Sequence, residues 1–212
     1  MSTVTSTIEN MFKNAPEPPA PKRRKRRAGV ATALGLIAMT LGLGLLAAVL
    51  IVPDKVEQVY GNVKMTVEEQ VRTVVEPGPP SVILGGEGDM ARVDECDGTF
   101  TEMLPYRIAA NLQPTFLAHN ACSGDKILNW TVGQEVTVVQ NGTETAYTVT
   151  DAVQVAKFGS TTDDIDQLAG SLLLQSCFYG VNKMQVVALT PVGEEAVTPP
   201  LTEEGPVELE AQ

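Results

Sequence analysis

The stretch QEVTVVQNGTETAYTV at residues 134–149 decides the fold class. Apolar and β-branched residues alternate with polar ones on both sides of Asn141-Gly142, and that dipeptide supplies the two positive φ angles a type I′ turn demands. The spacing predicts a hairpin with strands over 134–139 and 143–149. Outward from it, short apolar or β-branched runs predict further strands over 115–119, 153–157, 172–177 and 184–190, with a helical turn over 163–168. Many short strands joined by loops indicate a mainly β domain over 81–192, a barrel or a sandwich. A chain of that length buries enough surface to fold alone.

Towards the N-terminus the character changes. Residues 28–52 form a run of 25 without one charge, AGVATALGLIAMTLGLGLLAAVLIV. At 1.5 Å per residue a helix of that length exceeds a hydrocarbon core of about 30 Å. Six consecutive basic residues, Lys22 to Arg27, abut one end and Pro53-Asp54 the other. The positive-inside rule then predicts a cytoplasmic basic tail over 1–27 and export of everything after Pro53. No A-x-A cleavage site follows the apolar run, so the reading is a retained single-pass anchor in the cell membrane. The net charge of −11 over 212 residues divides accordingly into +5 for 1–30 and −16 for the rest. Such an acidic exported part excludes a general nucleic-acid binder, because it would repel a polyanion.

Val56, Val59, Val63, Val67, Val71 and Val74 recur at helical steps, which predicts a helical stalk within 53–80, closed by Pro77-Gly78-Pro79-Pro80. Residues 193–212 hold six Glu, three Pro and no basic residue, the composition of a disordered, solvated tail.

Three cysteines and one histidine carry the candidate chemistry. Cys96 and Cys122 sit in loop-like surroundings, DECDG and NACSGD, whereas Cys177 ends the apolar run from Leu172. In an oxidising compartment this predicts a Cys96–Cys122 disulfide and leaves Cys177 unbridged, either as a reactive thiol or as a small buried hydrophobe. The competing reading keeps all three thiols reduced. Closing residues 96–122 into a loop stabilises by about 3 kcal/mol in the chain-entropy picture. His119 follows Phe116-Leu117-Ala118 at a strand end, where an imidazole is most often a structural hydrogen-bonding group; any chemistry that needs one has only this candidate. No close C-x₂₋₄-C pair supports zinc, and Asp163-Asp164-Ile165-Asp166 lacks the glycine and terminal glutamate of an EF-hand loop, so neither a metal nor another cofactor is expected.

Taken together, these residues resemble the sortases. That family ends a late strand in TLxTC, matched here by Leu173-Leu174-Gln175-Ser176-Cys177, and carries a histidine roughly sixty residues earlier, matched by Ala118-His119-Asn120 at 58 residues before the cysteine. The run Val132-Gly133-Gln134-Glu135-Val136 is similar to the family's G-D-x-V turn and strand. At the place of the family's arginine this chain has Lys183, a point charge on a flexible stem instead of a planar five-donor fork, with Arg107 and Arg92 as alternative cations. The resemblance covers about 105–192. It implies a sortase-like β-barrel and a cysteine transpeptidase, with Cys177, His119 and Lys183 catalytic and Ser176, Asn120 and Leu174 binding substrate. It also implies the partners: an LPxTG-like sorting-signal peptide and an amine acceptor of the cell envelope. The alternative is a catalytically inactive or unrelated anchored β-domain that binds an extracellular peptide or envelope component.

Overall fold

Asn141 and Gly142 adopt φ of 51° and 76°, the left-handed pair that closes the hairpin. In the computed structural model, which describes residues 27–75, 78–197 and 209, the elements follow in the order α1 (Arg27–Ile51), α2 (Pro53–Val75), β1 (Ser81–Gly88), α3 (Met90–Val93), β2 (Phe100–Met103), α4 (Leu104–Ala110), β3 (Thr115–Leu117), β4 (Glu135–Gln140), β5 (Thr143–Val155), β6 (Leu172–Cys177) and β7 (Met184–Pro191). Among the described residues, those up to Ala47 form one compact unit and those from Ala48 another. In α1, Thr32–Ile51 is apolar and long enough to cross a membrane and fits a single-pass anchor. The basic tail expected before it lies outside the described residues, apart from Arg27.

The seven strands close a barrel in the order β1-β2-β3-β6-β7-β5-β4. The hairpin strands β4 and β5 pair antiparallel from Gln140↔Thr143 to Glu135↔Thr148. Strand β5 runs on to Val155, joining into one element the two strands expected over 143–149 and 153–157. The helical turn expected over 163–168 is a single 3₁₀ turn, Thr162–Asp164. Strands β1 and β2 were not expected. In the barrel a Cβ at Gly85 would lie 2.5 Å from Thr99 Oγ1, a crowding that glycine avoids.

Two apolar clusters hold the barrel. Val82, Phe100, Phe116, Val136, Val149, Leu172, Leu174, Val187 and Leu189 fill the interior. A second cluster covers the outer face of β3, β6 and β7, where Leu117, Leu173, Cys177, Met184, Val186 and Ala188 meet Val93, Tyr106 and Ala110 from α3 and α4, and Ile165 and Leu168. Alternate residues of β6 therefore belong to opposite clusters, and because both faces are covered its polar residues Gln175 and Ser176 are buried along with its leucines. The acidic tail lies outside the described residues beyond Val197, except for Leu209, which is buried in the outer cluster and donates its amide to Ser160 O at 2.9 Å.

Pro53 at the first position of α2 suits a helix start, since its missing N–H would have no partner there. The valine spacing forms the expected helix, but Val59, Val63, Val67, Val71 and Val74 are exposed. The helix docks on the barrel through its other face. Gln58 Nε2 donates to Gly180 O at 2.7 Å, Lys64 pairs with Asp125, and Tyr60 meets Tyr179 edge-on. A Cβ at Gly61 would fall 2.3 Å from the Tyr179 ring, so close approach needs glycine.

Candidate active site

Strands β3 and β6 run parallel, with Thr115 opposite Leu173, Phe116 opposite Leu174 and Leu117 opposite Gln175. Ala118 N–H continues the ladder to Gln175 O at 3.3 Å, and Ser176 Oγ donates to Ala118 O at 2.9 Å. Continuing that register by two residues brings His119 level with Cys177 on the neighbouring strand end. Their side chains share the parity of Leu117 and Leu173, the outer-cluster face.

A tight turn fixes the histidine backbone. His119 O accepts N–H groups from Cys122 at 2.8 Å and Gly124 at 2.9 Å around the 3₁₀ turn Asn120–Cys122. Gly124 is pressed against the end of β6, where an added Cβ would lie 2.2 Å from Ser176 Oγ and 2.3 Å from Ala118 O. The imidazole is 22% exposed, and its Nε2 lies 2.8 Å from Asp94 Oδ1. Cys96 and Cys122 form the expected disulfide, which joins the Asp94 loop to the His119 turn, and Cys177 takes no part in a disulfide.

Behind the turn lies a polar network. Tyr179 Oη sits 2.8 Å from Asn120 O and 3.0 Å from Asp125 Oδ2, and Lys64 reaches the same carboxylate from α2. Burial, and then Asp125, push the Tyr179 phenol well above its ordinary range. Burial works against the charge on Lys64, but the Asp125 hydrogen bond and charge outweigh it and hold the ammonium above its ordinary value. The loop following Cys177 is thereby tied both to α2 and to the His119 turn.

The remaining predicted residues are placed as follows. Asn120 contributes its carbonyl to Tyr179. Ser176 is buried with its hydroxyl engaged at Ala118 O, and Leu174 is wholly inside the barrel, so neither side chain reaches a surface. Lys183 is exposed at the β6–β7 turn, where its carbonyl accepts Phe178 N–H at 2.9 Å, one residue beyond the Cys177↔Met184 pair. Arg107 bridges Glu87 and Glu102 at 2.6 Å each, and Arg92 pairs with Glu95 and Asp97. Both alternative cations are therefore engaged with carboxylates. Cys177 is only 1% exposed. Among the described residues no group of three His, Cys, Asp or Glu gathers as a metal site. A cavity of about 640 Å³ opens between α2 and the barrel, lined by residues including Met65, Arg72, Trp130 and Gln134; its lining includes neither His119 nor Cys177.

Asp94, Gly124, Asp125 and Tyr179 carry no local signal in the sequence; only the pairing of distant strands gives them a role at this site.

No family model matches the chain, and no curated protein does. Among solved structures the chain is similar to Listeria monocytogenes sortase A, with 16% identity and a TM-score of 0.33, covering 47% of this chain and 72% of that one. It is also similar to Clostridium perfringens sortase C with its C-terminal cell wall sorting motif, with 16% identity and a TM-score of 0.35, covering 50% of this chain and 60% of that one.

Proposed function

We propose that the chain is a membrane-anchored cysteine transpeptidase, resident in the cell membrane with its N-terminus cytoplasmic and its barrel outside. The observation that carries this reading is the β3–β6 register, which pairs Leu117 with Gln175, each two residues before the chain's one histidine and its one unbridged cysteine. The motif resemblance around Cys177 and His119 supports it.

The chemistry is acyl transfer. The Cys177 thiolate, its proton held by His119, attacks a backbone carbonyl of an LPxTG-like sorting peptide and forms a carbon–sulfur bond. As the tetrahedral intermediate collapses, the peptide C–N bond breaks and His119 gives its proton to the leaving amine. An amine of the cell envelope then attacks the thioester, returns a proton to His119 and releases Cys177. Lys183 supplies the positive charge for the oxyanion, where one well-placed donor is worth about 3 kcal/mol.

The burial of Cys177 favours a second reading, an anchored β-domain that binds an extracellular peptide or envelope component without chemistry. Incubation of the full chain in detergent with an LPxTG-type peptide library and an amine separates the two. The first predicts a thioacyl adduct, detected by mass spectrometry and lost in Cys177→Ala. No adduct with any peptide, together with a thiol that resists alkylation until denaturation, would leave the second.

A further inference from the structure

We propose that Asp94 is a positioning residue for His119, fixing which imidazole nitrogen faces the chemistry, and that the Cys96–Cys122 bridge holds it there. The functional part of this rests on His119 working with Cys177.

Two links join the same two loops. The Asp94 Oδ1 to His119 Nε2 contact of 2.8 Å lies beside the disulfide, whose cysteines follow two and three residues later and whose Cα atoms are 5.2 Å apart. The Asp94 loop is also tightened internally. Asp97 Oδ1 accepts Thr99 N–H at 2.9 Å and Thr99 Oγ1–H at 2.7 Å, and Asp97 Oδ2 pairs with Arg92 at 3.0 Å. Cys96 and Ser123 hold left-handed φ of 53° and 89°, conformations that are unfavourable for a non-glycine residue and persist where neighbours over-determine them. A loop pinned at this many points sets the carboxylate in one place.

With the His119 backbone fixed by two hydrogen bonds to its carbonyl, the orientation of the ring is the freedom left. A carboxylate accepts only from an N–H, so a neutral imidazole with Nε2 against Asp94 keeps its proton on Nε2 and leaves the Nδ1 lone pair to exchange protons at Cys177. When the ring is cationic, the same carboxylate stabilises the imidazolium. Asp94 is 66% exposed, and an ion pair so open to water contributes little energy. Its effect is therefore orientation more than stability.

Because the chain contains one histidine, ¹⁵N-histidine labelling of the full chain in detergent micelles reports on this ring alone. At a pH where the ring is neutral, the wild type should show the Nε2–H tautomer. Asp94→Ala should shift it to a mixture, Asp94→Glu should restore it in part, and Cys96→Ser with Cys122→Ser should shift it as Asp94→Ala does, with unchanged far-UV circular dichroism. In the transfer assay Asp94→Ala should lower kcat about tenfold with KM unchanged. A nitrogen spectrum identical in wild type and Asp94→Ala overturns the proposal. If the wild type forms no thioacyl adduct, the transpeptidase reading fails while the spectrum still decides the role of Asp94.

Discussion

Gly124 shows how little room the site allows. With the end of β6 pressed against it, any side chain must displace both the Ser176 hydroxyl and the Ala118 carbonyl, which are bonded to each other where β3 and β6 end. Gly124→Ala should therefore destabilise the chain by about 2 kcal/mol through overpacking, read as a lower urea midpoint. An unchanged midpoint would show that the turn can move aside. At this scale the sequence was partly legible. Cys177 and His119 stood out because each is singular, one as the unbridged cysteine and the other as the lone imidazole. Asp94 did not, because it lies 25 residues before its partner among several other carboxylates, and nothing in its neighbours distinguishes it.

Among the elements, β6 and α2 differ in what their patterns revealed. The start of β6 could be read from the apolar run Leu172-Leu173-Leu174, and the strand is covered on both faces by the interior and outer clusters. In α2 the valine periodicity revealed a helix but not its docking contacts, which come from Gln58, Gly61 and Lys64. That docking is sensitive to alkali. The folded chain raises Lys64 above its ordinary 10.5 and Tyr179 above its ordinary 10.0, so both favour the protonated state. Their contribution is complete below those ordinary values and is lost as pH rises through the folded ones. Chain stability should accordingly fall from about pH 10 upward, and the fall should be smaller in Lys64→Met with Tyr179→Phe. Equal alkaline losses in the two proteins, followed by circular dichroism, would remove the network as their cause.

In the whole molecule, barrel closure decides which distant segments share a face. Leu209 lies 32 residues beyond Cys177 in an acidic tail, yet it is buried in the same outer cluster. Leu209→Ala should cost about 2 kcal/mol in urea unfolding, as for other buried leucines, whereas a solvated tail residue would cost nothing measurable. The chain's local patterns were enough to establish the hairpin, with its Asn-Gly turn, and the apolar helix long enough to span a bilayer. Those two features depend on neighbours in sequence alone, and the pairing of Cys96 with Cys122 followed from the loop-like surroundings that set them apart from Cys177. Tertiary structure decided the rest: strand β1 through its glycines, the docking face of α2, the burial of Cys177, and the meeting of Asp94 with His119. Each of these depends on contacts between residues far apart in the chain, and such contacts exist only once the seven strands have closed around one core.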